Sequence, residues 1–276
     1  MISVKYVNSN GTSIDLLGSK LRATEGYVHN RKWSPVVNAL SVGARLKSFN
    51  KDPIQYDLTV ALRGTLQERY AMMDNLLEAF EYDVIRKTPG RLWFGSSYID
   101  CYVIESAASV GDLSTRTNVA FKVYCPYPFW ISEKSKSFFP SQGEEPIGKL
   151  EYPYDYPYDY KADPHGSARW IIDHYADSEF KMTIHGPALN PAIHINGHEY
   201  KVFTNLLNDE YLTIDSRDNT IIKALQNGVK LNLLNDRSKT ESVFANIPSG
   251  VLDITWSGGF GFDITLFLER SEPKWI

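Results

Sequence analysis

Residues 54–80 read IQYDLTVALRGTLQERYAMMDNLLEAF, and this stretch joins a strand to a helix. From Ile54 to Leu62 every second side chain is apolar, which is the period of a strand with one buried face. Gly64 is a typical turn residue, so we predict that the strand ends at Arg63. The first half of the chain therefore contains an amphipathic strand that needs a partner layer.

The residues after this strand predict the start of a helix. Thr65 and Glu68 have the spacing of a capping box, in which both side chains accept hydrogen bonds from free backbone N–H groups. Apolar residues then recur at helical spacing, namely Leu66, Tyr70, Met73, Leu77 and Phe80. We predict a helix over residues 66–82 whose apolar stripe packs against a sheet. The first half is therefore expected to have an α+β fold with one helix in a mainly β chain.

A second pair of strands is predicted on either side of Gly111-Asp112. If Cys101 lies opposite Cys125, the same register gives two further pairs: Val103 with Val123, and Glu105 with Phe121. Two facing cysteines are compatible with a disulfide or with half of a metal site, but no Cys or His partner lies at metal-ligand spacing. We interpret them as buried free thiols, because isolated cysteines behave as small apolar residues.

The polar segment before the first strand predicts a feature that projects from the fold. Residues 21–36 read LRATEGYVHNRKWSPV and are charged around Glu25-Gly26 and His29-Asn30. An ordinary surface loop is one interpretation. The other is an arm at about 21–36 in which Tyr27 and Trp33 contact a neighbouring subunit, because exposed aromatic residues are common anchors of interfaces.

The second half of the chain is predicted to consist of strands. Turn signals such as Asn196-Gly197, Asn227-Gly228 and Gly258-Gly259 separate short extended runs. The predicted strands are Phe180 to His185, Ala192 to Asn196, Glu199 to Phe203, Tyr211 to Asp215, Thr220 to Ala224, Leu231 to Leu234, Val251 to Trp256 and Asp263 to Arg270. Eight short strands without a helical pattern favour an all-β sandwich of two sheets.

Between the halves, residues 152–160 read YPYDYPYDY, a doubled four-residue unit. Each proline forces the residue before it out of the helical region, so the segment must be extended. Alternation then places five tyrosines on one side and the Pro/Asp set on the other; the five are Tyr152, Tyr154, Tyr156, Tyr158 and Tyr160. The segment is either an adhesive strap that covers its aromatic face or a stiff linker between two domains.

Composition places the chain among ordinary globular proteins. Its 276 residues are 43% hydrophobic and 22% charged, and no run approaches the length of apolar sequence that crosses a bilayer. The start lacks the apolar core of a secretory signal, and two cysteines fit a reducing compartment, so we expect synthesis in a cytoplasm. Up to residue 140 there are 17 basic and 13 acidic residues, and after it 12 and 20, so the halves carry +4 and −8. Neither half has the basic run of a nucleic-acid-binding protein.

The sequence contains no catalytic signature. It has no Gly-rich phosphate loop, no H-E-x-x-H, no G-x-S-x-G and no Cys/His nucleophile pattern. His194 and His198 flank a turn and could meet His185 to hold a metal, but solvent-facing histidines in a hairpin are the interpretation that we favour. We therefore predict no catalytic residue, no metal, no cofactor and no enzymatic activity.

The order of features resembles the distal tail protein family of long, flexible-tailed bacteriophages, the hub of the siphophage baseplate. A strand and a capped helix precede RLWFG at 91–95 and YIDCYVIE at 98–105. The Tyr-Pro-Tyr-Asp repeat follows, and then a strand domain that contains IHGPALNP at 184–191 and an Asn-Gly hairpin. The resemblance covers nearly the whole chain.

This resemblance implies a structural virion protein at the phage tail tip. Members form a homo-hexamer, as one ring or two rings back to back, whose N-terminal domains line a channel for DNA passage without sequence-specific contacts. The ring joins the tail tube protein to a tail-associated lysin or fibre protein, and galectin-like β-sandwich domains point outward and carry receptor-binding proteins. No membrane insertion is implied.

Domain bounds follow from the same resemblance. Residues 1–140 correspond to a ring-forming, tail-tube-like domain, residues 141–165 to a linker or strap, and residues 166–276 to the galectin-like sandwich. An alternative is a carbohydrate-binding module for host adhesion in which an aromatic residue such as Trp256 stacks on a sugar. The chain lacks the Pro-Arg that follows His and Asn in the galectin signature, since His194-Ile195-Asn196 is followed by glycine.

Overall fold

The computed structural model describes residues 3–26, 28–109, 116–140 and 166–275. Two compact units are present, the first formed by Met1–Ser132 with Glu269–Ile276 and the second by Glu133–Leu268. The described residues are mainly β and include one α-helix, which confirms the predicted fold class. The functional division at 1–140, 141–165 and 166–276 stays a prediction, and its middle segment lies outside the described residues.

Ten strands and the helix make up the described chain as far as residue 140. They are β1 (Val4–Val7), β2 (Ser13–Asp15), β3 (Leu21–Gly26), β4 (Ser34–Ala39), β5 (Ala44–Asn50), β6 (Ile54–Arg63), α1 (Leu66–Arg86), β7 (Gly90–Phe94), β8 (Ser97–Ser109), β9 (Arg116–Cys125) and β10 (Trp130–Phe138). The predicted strand over 54–63 is confirmed at both ends. Helix α1 starts where the sequence predicts and continues four residues beyond the predicted end.

The capping box at the start of α1 forms as predicted. The Thr65 hydroxyl accepts a hydrogen bond from the Glu68 N–H at 3.3 Å, and the Glu68 carboxylate accepts one from the Thr65 N–H at 2.9 Å. The helix ends at Lys87, whose backbone adopts the left-handed conformation and whose N–H donates to the carbonyls of the last turn. Both ends of α1 are therefore satisfied by local groups.

The buried face of α1 differs from the predicted stripe. Leu76 and Phe80 are buried, but so are the polar residues Arg69 and Asp83, whereas Tyr70 is 60% exposed. Arg69 Nη1 donates to the Thr117 hydroxyl at 3.0 Å. Apolar spacing alone predicts that Tyr70 faces the core. It does not anticipate that polar side chains with hydrogen-bond partners occupy buried positions of the helix.

Two antiparallel sheets pack with the buried side of this helix in the first unit. One runs in the order β10-β8-β7-β1-β2, and the other in the order β3-β6-β9-β8, so the long strand β8 takes part in both. Their inner side chains pack with α1 around a shared core that includes Tyr56, Leu76, Ile99, Phe121 and Trp130. Burial raises the pKa of Tyr56 to about 12, although its hydroxyl accepts a hydrogen bond from Trp130 Nε1.

The predicted β8–β9 register is confirmed at Val103 and Val123 and fails beyond them. A β-bulge between Val103 and Glu105 shifts the pairing by one residue, so Glu105 lies opposite Lys122 rather than Phe121. The shift lets Glu105 and Lys122 form an ion pair. The turn residues Gly111-Asp112 lie outside the described residues.

Both cysteines are buried and free, as predicted. Burial raises the pKa of the Cys101 thiol well above its ordinary value, and the neighbouring Cys125 raises it further. Because the thiolate is the reactive form, Cys101 is a packing residue in the first core.

The predicted arm at about 21–36 requires correction. Its first six residues are β3, which pairs with β6 inside the sheet. The exposed hairpin is instead formed by β4 and β5, and it extends to Asn50. The sequence obscures this boundary because residues 21–26 carry as many charges as a surface loop, yet Leu21 and Ala23 alternate with them toward the core.

Eleven strands follow residue 165 in the described chain. They are β11 (Gly166–Ile172), β12 (Glu179–His185), β13 (Ala188–Leu189), β14 (Ala192–Ile195), β15 (His198–Lys201), β16 (Asn205–Leu206), β17 (Tyr211–Asp215), β18 (Thr220–Ala224), β19 (Lys230–Asn232), β20 (Gly250–Trp256) and β21 (Phe262–Arg270), with a 3-10 helix at Leu234–Asp236. Each of the eight predicted strands of this half matches one of them to within two residues at either end. The prediction missed β11, β13 and β16.

Two antiparallel sheets enclose the core of the second unit. One has the order β19-β18-β17-β12-β21-β10 and the other the order β11-β20-β14-β15. Inward side chains of both sheets, including Phe180, Ile214, Ile254 and Ile264, form one apolar cluster, as the predicted sandwich requires. Asn196 and Gly197 both have positive φ, which a tight Asn-Gly turn between two strands needs.

Candidate subunit interface

The β4–β5 hairpin is the main candidate for an interaction surface in the first unit. Its two strands pair with each other and with no further strand of the described chain. A two-stranded sheet on its own is only marginally stable in water, so a hairpin of this kind needs additional packing. None of its residues belongs to the core of the first unit.

One face of the hairpin is apolar and the other is polar. The register places three cross-strand pairs on the apolar face: Pro35 with Phe49, Val37 with Leu46, and Ala39 with Ala44. A bulge at Val36/Val37 adds one residue to β5, so Phe49 and Leu46 lie on the same face although they are three residues apart. The opposite face carries Ser34, Asn38, Arg45, Ser48 and Asn50 with the single apolar residue Val36.

The apolar face is open to solvent. Val37, Leu46 and Phe49 are each about half exposed, at 49%, 51% and 55%, and Val42 at the tip is 89% exposed. A contiguous apolar surface of this kind is typical of a protein–protein contact. The hairpin and the residues at its base are also basic: residues 29–51 contain Arg45 and Lys47 in the hairpin, Arg31, Lys32 and Lys51 beside it, and no Asp or Glu.

The base of the hairpin is held by an aromatic cluster. Trp33 packs edge-on against Phe129 with ring centroids 6.2 Å apart, and Lys51 Nζ lies 5.0 Å from the Trp33 ring. The Ser34 hydroxyl donates to Asp52 across the base at 2.8 Å. Burial and the nearby Arg31 lower the pKa of Lys51. The hairpin therefore leaves the first unit from a fixed root.

The interface residues predicted from sequence are only partly described. Trp33 lies at this root with 39% of its surface exposed, so it anchors the hairpin and borders the apolar face. Tyr27 and the five tyrosines at 152, 154, 156, 158 and 160 lie outside the described residues, and their roles stay predictions. Apolar alternation over 35–49 could have revealed the hairpin, but the bulge interrupts the strict period of two.

Helix α1 presents a second exposed apolar surface. Tyr70 and Ile85 are 60% and 74% exposed, and Leu66 and Val84 also lie in solvent. Between them the helix carries exposed carboxylates: Asp74, Glu78 and Glu81. An amphipathic surface helix typically carries polar residues on the face away from the core, so several large apolar side chains on that face make it a candidate contact surface as well.

A buried polar cluster fixes the orientation of this helix. Asp83 has no exposed surface, and its carboxylate accepts hydrogen bonds from the Tyr6 hydroxyl and from the Ser9 N–H and hydroxyl. Burial, and then the bond to Asp83, raise the pKa of Tyr6. Gly90 borders the cluster, because a Cβ there would come within 2.4 Å of Tyr6 and Asp83 oxygens. These contacts determine which side of α1 faces solvent.

The histidines considered as metal ligands do not converge. His185 Nε2 lies 2.8 Å from Asp263, His194 Nε2 lies 3.7 Å from Glu199, and His198 Nδ1 lies 3.4 Å from Glu241. Each histidine thus has its own carboxylate, which sequence reasoning did not anticipate. Within the described ranges, no three His, Cys, Asp or Glu side chains are grouped as a metal site would need.

Trp256 is not placed to stack on a sugar. Only 7% of it is exposed, and its Nε1 donates to the Phe260 carbonyl at 3.0 Å. Gly166 lies directly on the indole, since a Cβ there would be 2.2 Å from the ring. A cleft of about 520 Å³ beside it is lined by apolar residues such as Leu189 and Phe260 together with the polar side chains of Ser167, Asn190 and His194. The aromatic platform expected for the carbohydrate-binding alternative is therefore covered by the protein itself.

No helix in the described ranges has the length and apolar composition needed to span a membrane.

Comparison with known proteins was informative at the level of three-dimensional structure. No protein-family model matches the sequence, and no curated protein matches it. The crystal structure of the SPP1 Dit protein, described as a paradigm of hub adsorption apparatus in phages that infect Gram-positive hosts, superposes with a TM-score of 0.63. The match covers 98% of this chain and 99% of that chain at 10% sequence identity.

Chains of the phage P2 baseplate in its activated conformation, with calcium or with strontium, match equally well. Both give a TM-score of 0.63 at 14% identity and cover 99% of this chain and 100% of the baseplate chain. The similarity extends over nearly the whole chain, although only 10–14% of the aligned residues are identical. The predicted resemblance is therefore confirmed at the level of the fold: this chain has the fold of the SPP1 Dit hub protein and of a phage P2 baseplate protein.

Proposed function

We propose that this chain is a distal tail protein, the structural hub at the tail tip of a long-tailed phage. The observation that carries the proposal is the match along 98% of this chain and 99% of the SPP1 Dit chain. A shared fold alone does not define a function. In this case the match covers nearly the full length of both chains, and the sequence motifs independently pointed to the same family.

In this proposal the chain forms a homo-hexameric ring, as one ring or two rings back to back. The exposed apolar hairpin supports a ring, because a surface that is incomplete in one copy is completed by the next. Contacts between two different surfaces of identical copies run head to tail, and they close into a ring when the rotation permits. The first unit is the ring-forming part, since it carries this hairpin.

The remaining assignments follow from the same role. The ring joins the tail tube to a tail-associated lysin or fibre protein, and the second unit, a galectin-like sandwich, faces outward and anchors receptor-binding proteins. DNA passes through the channel without sequence-specific contacts, which agrees with scattered basic residues. The protein is synthesised in the host cytoplasm, resides in the virion, has no enzymatic activity and needs no cofactor.

The test is the mass of the full-length protein in solution. Light scattering coupled to size exclusion should give six copies of the 31.4 kDa chain or a multiple of six. A hairpin variant, Val37→Ser/Leu46→Ser, should reduce assembly, because it removes apolar surface from the proposed contact. A wild-type protein that remains monomeric at high micromolar concentration would contradict the ring.

The carbohydrate-binding module remains the second candidate function. The cleft beside Trp256 is the observation in its favour, and the covered indole is the observation against it. Binding of the full-length protein to a glycan array, abolished by His194→Ala and Asn190→Ala, would favour it over a purely structural outer domain. We expect no binding above background.

A further inference from the structure

We propose that the apolar face of the β4–β5 hairpin of one copy packs on the exposed face of helix α1 of the next copy. This inference rests on the proposed ring, and it identifies the two surfaces that join neighbouring subunits. Both surfaces are exposed within one chain, so neither covers the other in the same copy.

The composition of the two surfaces is matched. The hairpin offers an aliphatic and aromatic face centred on Val37, Leu46 and Phe49. The helix offers Tyr70, Leu77 and Ile85 at spacings of seven and eight residues, which places them on one side. A helix lying on the apolar face of a sheet is one of the stable layered arrangements in proteins. Each surface therefore offers apolar side chains that the other can cover.

The dimensions also agree. From Tyr70 to Ile85 the helix extends about 22 Å, at about 1.5 Å per residue. The six residues of β4 extend about 20 Å, at about 3.3 Å per residue. Two strands about 4.8 Å apart with their side chains are about as wide as one helix, about 10 Å across. A single hairpin is thus large enough to cover a single helix.

Electrostatics favours the same pairing. Residues 29–51 carry five positive charges and no negative charge, whereas residues 66–86 contain five Asp or Glu and two Arg. Asp74, Glu78 and Glu81 lie on the exposed side of the helix. Opposite charges on the two surfaces increase the association rate and disfavour contacts between two hairpins or two helices. The complementarity therefore selects hairpin-to-helix contacts between copies.

This pairing is head to tail, because the two surfaces are different parts of the same chain. A two-fold contact would instead bring hairpin against hairpin, with only basic charged residues on both sides. Head-to-tail contacts repeat from copy to copy and generate the ring that the proposed function requires.

Thiol cross-linking in the full-length protein tests the contact. Val37→Cys lies at the centre of the hairpin face, and Leu77→Cys lies near the centre of the helix face. The two thiols should therefore be close enough to cross-link whichever way the hairpin runs along the helix. The two single variants, mixed and treated with a short bis-maleimide, should give a mixed dimer. Wild-type protein should give none, because Cys101 and Cys125 are buried. Val37→Cys mixed with Asp218→Cys, an exposed site in the second unit, is the matched control.

Charge reversal is a second measurement that does not alter apolar packing. Glu78→Lys/Glu81→Lys should raise the concentration at which half of the protein is assembled by about tenfold, and adding Lys47→Glu, at the exposed bulge position beside Leu46, should restore part of the assembly. Asp173→Lys/Asp218→Lys makes the same change of net charge at exposed sites of the second unit, and we expect it to leave assembly unchanged.

The outcomes separate this contact from the ring itself. Hexamers without a mixed cross-link, together with no effect of the charge reversal, would overturn the hairpin-to-helix contact and leave the proposed function standing. Cross-links between two Val37→Cys copies would overturn it in favour of a two-fold contact. A monomer under all conditions would contradict both proposals.

Discussion

At the scale of single residues, the positions that organise this protein are polar and buried. Asp83 accepts three hydrogen bonds in the first core, and Glu210 accepts two in the second unit, from the Leu207 N–H and from Lys223 Nζ, both at 2.8 Å. A buried polar group is tolerated only when it has partners. The side chains of Asp83 and Glu210 are therefore held in place by specific donors. Substituting either residue tests whether these hydrogen bonds stabilise the surrounding structure.

Replacing Asp83 with alanine should strongly destabilise the first unit. The substitution leaves the Tyr6 hydroxyl and the two Ser9 donors without their acceptor inside the protein, and we expect a loss of about 2–4 kcal/mol. Urea unfolding followed by tryptophan fluorescence measures it. Asp74→Ala, on the exposed side of the same helix, is the control and should change stability by less than about 0.5 kcal/mol. Equal effects of the two substitutions would show that the cluster does not stabilise the fold.

Replacing Glu210 with glutamine should have an effect that depends on pH. The Leu207 N–H and then Lys223 lower the pKa of Glu210 below its usual value of 4.5, so the folded state favours the carboxylate. This contribution is present above the unfolded-state pKa and is lost as pH falls through the lower folded-state pKa. The melting temperature of Glu210→Gln should thus be lower than wild type at pH 7 and approach it near pH 3. Asp218→Asn is the control, and a difference independent of pH would refute the assignment.

At the scale of elements, sequence patterns identified strands and helix ends well and side-chain environments less well. Alternation predicted β6 to the residue, and the Thr65–Glu68 spacing predicted the start of α1, because both signals are local. The β8–β9 bulge and the orientation of α1 were not predictable, since they depend on Lys122, Tyr6 and Thr117, which come from elsewhere in the chain. The position of the exposed hairpin was predicted wrongly for the same reason, because only the pairing with β6 shows that Leu21–Gly26 belongs to the sheet.

The tyrosine repeat supports a further prediction at this scale. Because an extended chain places all five tyrosines on one side, leaving them in water would forgo most of their burial energy. If the segment is a strap, Tyr154→Ser/Tyr156→Ser should cost about 1–3 kcal/mol per ring in stability or in ring assembly. Asp155→Ser/Asp159→Ser changes the opposite side and serves as the control. Thermal melts and ring mass identical to wild type for the tyrosine variant would favour a plain linker.

At the scale of the whole molecule, the order of units along the chain is not simple. Glu269–Ile276 belongs with the first unit, although the sequence before it, from Glu133 to Leu268, forms the second. The Glu269 carboxylate accepts a hydrogen bond from the Tyr127 hydroxyl at 2.6 Å, and the Trp275 ring stacks on His29 at 3.8 Å. No period or motif marks this tail in the sequence, so its return to the first unit was not predictable.

A chain that ends at Leu268 should therefore lose stability in its first unit. Removing the tail deletes the bond to Tyr127 and the stacking on His29, and it leaves the aromatic ring pair of His29 and Phe94 without its outer layer. Aromatic contacts of this kind contribute about 0.5–1.5 kcal/mol each beyond the area that they bury. Differential scanning calorimetry should show a lower melting temperature for the first unit, with the transition of the second unit unchanged. Trp275→Ala in the full-length chain removes the stacking alone and should give a smaller shift. If the truncated chain has the melting temperatures of the wild type, residues after Leu268 do not contribute to the stability of the first unit.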